Sequence, residues 1–258
     1  MTARRPFGIA LFTCAFVLAI GAQARIPVTV AATASAQIPF TFADGTGLGQ
    51  DLVDALNAHQ SNYEFTYVLM PTLRVTEMVG SGLIDLASLH NIAWGWDSDK
   101  AVATMDLFVA RDVFIARKEA LRGESFFDGI GTLPMVGVIG FHYRFAGYSE
   151  DQAALRRDFN LVLVKDELTV IRMILEGRGD IGIVASTTLD YLRKVDPALH
   201  ARLLVSERYD SEYSRHYVVS PVSPLKAAEL DGYLRILARN GSLSAIFERY
   251  GLKALPIP

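Results

Sequence analysis

Val79-Gly80-Ser81-Gly82-Leu83-Ile84-Asp85-Leu86 and Leu175-Glu176-Gly177-Arg178-Gly179-Asp180-Ile181-Gly182 are the two stretches whose reading decides the fold. Each reads as the end of a helix, a glycine turn, an aspartate and the start of a strand. Physically this is a tight helix-to-strand reversal: glycine takes positive φ without a Cβ penalty, and an aspartate bonds turn amides. One such turn says little. The same turn at the same place in both halves of the chain says that the halves are built alike.

Outward from the first stretch, Ile26 to Ala32 is a β-branched run and reads as a strand. Gly49 to Ala58 places Leu52, Val53 and Leu56 at helical spacing. Tyr63 to Leu69 reads as a strand, Leu73 to Val79 as a short helix and Ile84 to Leu89 as a strand. The rhythm returns in the second half. Met135 to Ile139, Leu161 to Val164 and Ile181 to Val184 read as strands, with helices at Glu150 to Phe159, Glu167 to Glu176 and Thr187 to Arg193. Two successive strand-helix-strand-helix-strand units predict an α/β chain of two lobes, each with a parallel sheet.

The first 24 residues read as an export signal. Arg4 and Arg5 precede an uncharged apolar run from Pro6 to Gly21, and Ala22-Gln23-Ala24 supplies the small residues a signal peptidase requires. The run falls short of the roughly twenty apolar residues that span a bilayer, so cleavage after Ala24 is expected and the mature chain starts at Arg25. Cys14, the single cysteine, leaves with the signal. It follows Thr13 rather than a small residue, which speaks against a lipid anchor. Disulfides, a cysteine nucleophile and a thiolate metal site are thereby excluded from the mature chain. The whole chain has 25 Lys plus Arg against 28 Asp plus Glu; without Arg4 and Arg5 the count is 23 against 28, a net charge of −5. Such a chain has no electrostatic footprint for nucleic acid. A soluble periplasmic monomer is expected.

Several segments resemble the family-three extracellular solute-binding proteins that serve many polar amino-acid ABC importers. Ile38-Pro39-Phe40-Thr41-Phe42 is similar to the family's Pro-Pro-Phe segment, and Asp44-Gly45 with Gly47-Leu48-Gly49-Gln50-Asp51-Leu52 to its Gly-Phe-Asp-x-Asp-Leu helix start. The two Gly-x-x-Asp phrases match its own two. Asn240-Gly241-Ser242-Leu243 and Phe247-Glu248-Arg249-Tyr250-Gly251 resemble its C-terminal ending. The resemblance implies a periplasmic-binding-protein type II fold of two lobes with ligand in the cleft between them. Lobe one would comprise residues 25–110 plus 217–258, and lobe two residues 111–216. The crossings would lie near Val113 to Arg117 and Tyr213 to Val219. It also implies closure around a small molecule, with an ABC permease or a membrane sensor as partner, and no cofactor.

Departures from the family pattern bear on the ligand. The family's carboxylate-binding Arg belongs to a loop that here reads His90-Asn91-Ile92-Ala93-Trp94-Gly95-Trp96-Asp97-Ser98-Asp99-Lys100, without arginine. The family's ammonium-binding Asp falls at Ala185. Free α-amino acids are therefore expected to bind poorly, since a buried ammonium without a carboxylate partner is costly. The residues present suggest other contacts. Trp94 and Trp96, the only tryptophans, offer rigid aromatic faces, although a core-plugging role is as plausible for either one. Gly140-Phe141-His142-Tyr143-Arg144-Phe145 follows a strand, where backbone N–H groups and Arg144 would favour an anion. The expected ligand contacts are thus Phe40, Asn91, Trp94, Trp96, His142, Tyr143, Arg144 and Thr187.

Catalysis is the competing class, because dehydratases are built on the same scaffold. His90, His142 and His216 are candidate acids or bases, with Glu77 or Asp99 in support. A lone histidine is more often a hydrogen-bonded structural residue. The chain has no Gly-x-Ser-x-Gly elbow, His-Glu-x-x-His or P-loop, and its five histidines lack ligand spacing for a metal. The sequence therefore favours a binding protein, with no catalytic or metal site.

Overall fold

The computed structural model describes residues 24–34, 37–97, 99, 101–149 and 151–257. The export signal up to Gln23, Cys14 within it, Lys100 of the loop after the first Gly-x-x-Asp strand and the helix start expected at Glu150 lie outside the described residues.

In the first half, β1 (Ile26–Thr33), α1 (Leu48–His59), β2 (Tyr63–Met70), α2 (Thr72–Gly80) and β3 (Leu86–His90) follow in order. β1 pairs in parallel with both β2 and β3. Its alternate residues serve two faces. Val28 and Val30 pack with Leu48, Leu52 and Leu56 of α1, while Ala31 packs with Val75 and Val79 of α2. A strand covered on both sides reads as continuously apolar, which is the pattern of Ile26 to Ala32.

The second half follows the same plan. β6 (Met135–Val138), α3 (Gln152–Phe159), β7 (Leu161–Val164), α4 (Glu167–Leu175) and β8 (Ile181–Ala185) are followed by α5 (Ser186–Val195) and α6 (Pro197–His200). β6 pairs in parallel with β7 and β8. The helix starts follow from capping: Asp151 accepts from the amides of Ala153 and Ala154, and Asp166 from that of Thr169. α4 buries Val170, Ile171, Ile174 and Leu175, one apolar stripe at helical spacing. Each such side chain contributes roughly 1.5–3 kcal/mol.

β5 (Phe108–Arg117) and β9 (Leu203–Val219) join the halves. They pair antiparallel over most of their length, from Phe108 with Arg215 to Arg117 with Leu203. β5 also pairs with β8, and the far end of β9 pairs with β3 and with the short β4 (Val102–Ala103). The sheet order is β2-β1-β3-β9-β5-β8-β6-β7. Both segments expected to cross lie within this long pair. α7 (Ala227–Arg239) and α8 (Ser242–Arg249) then return to the first half, where Leu230, Leu234, Leu237 and Phe247 complete its core.

The two turns take the positive φ their glycines suggest, while the Asp85 carboxylate, expected on turn amides, reaches a neighbouring strand instead. Gly82 and Gly177 sit at φ +78° and +73°. A Cβ on Gly82 would lie 2.4 Å from Val222, and one on Gly179 2.5 Å from Val136, so both turns lie tight against their neighbours. Asp85 accepts the Thr29 amide of β1 at 2.8 Å, tying turn to sheet.

Candidate ligand-binding cleft

A cleft of about 790 Å³ opens where the carboxyl ends of β1, β3 and β6 meet the β5–β9 pair. Open α/β sheets place ligands at such strand ends. The first half contributes Thr33 and Gln37 after β1, the first turns of α2 with Thr76 and Glu77, and His90 to Gly95 after β3. The second half contributes Gly140, Phe141, His142 and Tyr148 after β6. The crossing strands supply Asp112 and the run from Ser211 to Arg215.

The loop after β3 is fastened to β9. Asn91 donates to the Ser214 carbonyl at 2.7 Å and accepts the Ala93 amide at 2.7 Å. His216 accepts the Ile92 amide at its Nε2, 2.8 Å, and donates from Nδ1 to Asp106 at 2.9 Å. With its backbone so held, the loop turns its two tryptophans in different directions. Trp94 lines the cleft, its ring 5.0 Å from that of Tyr213. Trp96 packs against the apolar cluster of Ala31, Val75 and Val79 and donates from Nε1 to His90 Nδ1 at 3.2 Å. That bond fixes the tautomer of neutral His90, leaving its proton on Nε2. Burial, aided by the charge of Arg215, pushes His90 down to about 3, so it is neutral at ordinary pH.

Arg215 is 3% exposed and lines the cleft from β9. Its Nη1 donates to the Leu89 carbonyl at 2.7 Å, while its buried Nε has no partner. The guanidinium carbon lies 4.4 Å from the Trp94 ring centre and 5.2 Å from those of Tyr213 and Phe40. Aromatic faces stabilise such a cation but leave its donors unsatisfied. Asp112 is the nearby opposite charge, yet its oxygens accept from Ser211 and Tyr213, each at 2.9 Å. Burial pushes Asp112 up to about 6, against those hydrogen bonds and the charge of Arg215.

Of the eight expected contacts, Asn91, Trp94 and His142 line the cleft. Phe40 is buried behind it, in the wall of a niche of about 10 Å³ and against Arg215. The other four lie elsewhere. Trp96 is in the packing just described. Tyr143 is buried in the second-half core, with the Val138 amide donating to its hydroxyl at 2.6 Å. Arg144 is exposed and outside the lining; the anion expected over its backbone is the protein's own Asp210, which accepts the amides of Arg144 and Phe145 at 2.6 and 2.7 Å. Thr187 is buried on α5, its hydroxyl without a partner. Sequence reasoning missed Arg215, Asp112 and Tyr213. A signal for two of them existed: Tyr213 and Arg215 alternate along a strand, so the arginine shares a face with an aromatic residue.

Ala185, the place of the family's ammonium-binding aspartate, has another role. Its amide donates to Glu167, a buried carboxylate on α4 that also faces the Thr188 hydroxyl. Among the described residues, no cluster of three or more His, Cys, Asp or Glu is placed to hold a metal ion, and no helix is long and apolar enough to cross a membrane.

By sequence, no protein-family model matches the chain and no curated protein matches it significantly. By structure, many solved chains do. A putative binding component of an ABC transporter from Wolinella succinogenes, complexed with lysine, superposes with a TM-score of 0.68 at 14% identity, covering 89% of this chain and 97% of its own. A histidine kinase sensor domain with similarity to periplasmic binding proteins gives 0.67 at 16% identity, with 90% and 98% covered. An ancestral amino acid-binding protein described as a precursor of cyclohexadienyl dehydratase gives 0.65 at 15% identity, with 87% and 95% covered. The chain has the periplasmic-binding-protein type II fold. Within that fold, the cleft between the two halves is the place where the strand ends converge, and its walls here carry Arg215, Asp112, His90 and Trp94.

Proposed function

We propose that this chain is an exported, periplasmic solute-binding protein that closes around a small polar, anionic ligand. The observation that carries the reading is the cleft itself, about 790 Å³, walled by both halves and by the strands that join them. Its size suits a metabolite-sized ligand. The anionic preference rests on Arg215, a buried cation in the wall whose Nε has no partner. In this reading residues 25–110 plus 217–258 form one lobe and 111–216 the other, and β5 and β9 absorb the hinge rotation of closure.

Import is the first assignment, supported by the likeness to an ABC transporter component. Sensing is the second, supported by the likeness to a kinase sensor domain. Binding is favoured over catalysis because His90 and His216, both candidate acids or bases, are held in structural bonds: His90 holds Trp96, and His216 bridges Asp106 and Ile92. A thermal-shift screen of the mature protein against polar metabolites tests the reading. Ligand at a hundred times its Kd adds roughly 2.7 kcal/mol of stability, and small-angle scattering should show the particle contract. A screen with no stabilising compound, or a bound form as extended as the free one, counts against it.

A further inference from the structure

We propose that the ligand's anionic group is a carboxylate, and that Arg215 on the crossing strand β9 anchors it, with the Nε2–H of His90 as a second donor. The proposal rests on the solute-binding reading and names the group that reading leaves open. Its first support is the state of the guanidinium. Nη1 is engaged by the Leu89 carbonyl, while the buried Nε, on the edge it shares with Nη2, has no hydrogen-bond partner among the described residues. That edge presents two parallel N–H groups at the spacing of carboxylate oxygens. An arginine buried for structure alone is ordinarily matched by a carboxylate, and here Asp112 is occupied by Ser211 and Tyr213 instead.

The second support is independent. His90 accepts from Trp96 at Nδ1, so its Nε2 carries the ring proton and is the nitrogen left to donate. Arg215 and His90 both line the cleft and also the niche of about 10 Å³ behind it, whose other walls include Thr33, Ser88 and Tyr67. A space of that size holds about one oxygen atom. The geometry suits one carboxylate oxygen seated at the niche and the other facing the cleft. Trp94 and Tyr213 flank the guanidinium and restrict its rotation. The anchor therefore sits on a strand that belongs to both halves, so it is present before closure and needs no movement of either.

The test uses the full exported protein, dialysed exhaustively, and calorimetric titration with acetate, benzoate, succinate and L-glutamate. Acetamide, benzamide and succinamide serve as neutral counterparts. At least one carboxylate should bind, and at least tenfold more tightly than its amide. Arg215→Gln should remove that preference, with carboxylate affinity down at least tenfold and the circular dichroism spectrum unchanged. Should Arg215→Gln fail to fold, Arg215→Lys keeps the charge but loses the two-donor edge, and it too should lose at least tenfold. Equal carboxylate binding by wild type and the folded variant overturns the subsite and leaves the solute-binding reading standing. Binding of the neutral compounds alone has the same consequence. A wild-type protein that binds no member of the panel overturns the subsite, and silence in the wider metabolite screen is what would sink the broader reading.

Discussion

Glu167→Gln is expected to stabilise the protein above pH 7 and to leave it nearly unchanged below about pH 4. Glu167 is fully enclosed between α4 and α5; one oxygen accepts the Ala185 amide and the other meets the Thr188 hydroxyl. Thr188 also donates to the Ile38 carbonyl at 2.7 Å. A threonine has one hydroxyl proton. When Glu167 is ionised, both acceptors compete for it; when Glu167 is protonated, it donates to Thr188 and Thr188 donates to Ile38. Burial, against the favourable bonds from Ala185 and Thr188, pushes Glu167 up from 4.5 to about 7. A carboxyl group with a raised native pKa makes the folded state hold its proton longer than the unfolded chain does. Stability is therefore unaffected below the unfolded value of 4.5, falls as pH rises from there, and reaches its full loss above about 7. The shift corresponds to roughly 3 kcal/mol. Glutamine reproduces the protonated form, with its oxygen on Ala185 and its amide nitrogen donating to Thr188. Urea unfolding of both proteins at pH 4, 5, 6, 7 and 8 should show a difference growing from near zero at pH 4 to roughly 3 kcal/mol. His90, depressed to about 3, loses stability as pH falls below 6.5. It titrates alike in both proteins, so the difference isolates Glu167. A variant less stable than wild type at pH 8, or a difference independent of pH, refutes the reasoning.

Trp94→Ala should weaken ligand binding by about 1–3 kcal/mol with little effect on stability. Trp96→Ala should instead cost about 2–4 kcal/mol in urea unfolding, because its ring fills the space over Val75 and Val79. Asp210→Ala leaves the amides of Arg144 and Phe145 without their acceptor and should destabilise by about 1–3 kcal/mol. Arg144→Ala should change neither stability nor affinity measurably; a tenfold loss of affinity would restore it to the site. N-terminal sequencing of periplasmic material should begin at Arg25, and an intact Met1 or a lipid on Cys14 would contradict the processing read from Ala22-Gln23-Ala24.

The strands and helices of the two repeated units were legible because each buries one stripe or one run, whereas β4, α6 and α7 were not read from the sequence. Leu52, Val53 and Leu56 announce α1, and the continuous run from Ile26 announces a strand covered on both faces. Boundaries moved by a residue or two where caps decide them: Asp151 caps α3, so that helix begins at Gln152. The full length of β9 was not legible. Ser206, Glu207, Arg208, Asp210 and Glu212 look like a solvated loop, but β5 pairs with Val205, Tyr209, Ser211 and Glu212 around irregularities in the register, so the strand runs on through the polar stretch. Tertiary pairing there overrides local composition.

The site was half legible, and the reason is geometric. A loop after a strand of an open parallel sheet must face the cleft, so Asn91, Trp94 and His142 followed from topology alone. The charges did not, because counting fixed offsets from a motif tests positions along the chain and says nothing about space. No arginine lies between residues 90 and 100; the buried arginine of the cleft wall is Arg215, whose guanidinium reaches the Leu89 carbonyl across 126 positions. The carboxylate sought at Ala185 has a counterpart in Asp112, which meets Tyr213 across 101 positions. Both charges sit on the crossing strands, where β9 pairs with β3 of the first half and β5 with β8 of the second. Charges placed there face the cleft between the halves. The cleft thus carries its buried charges on the strands that join the halves, although the loop after β3 has no arginine.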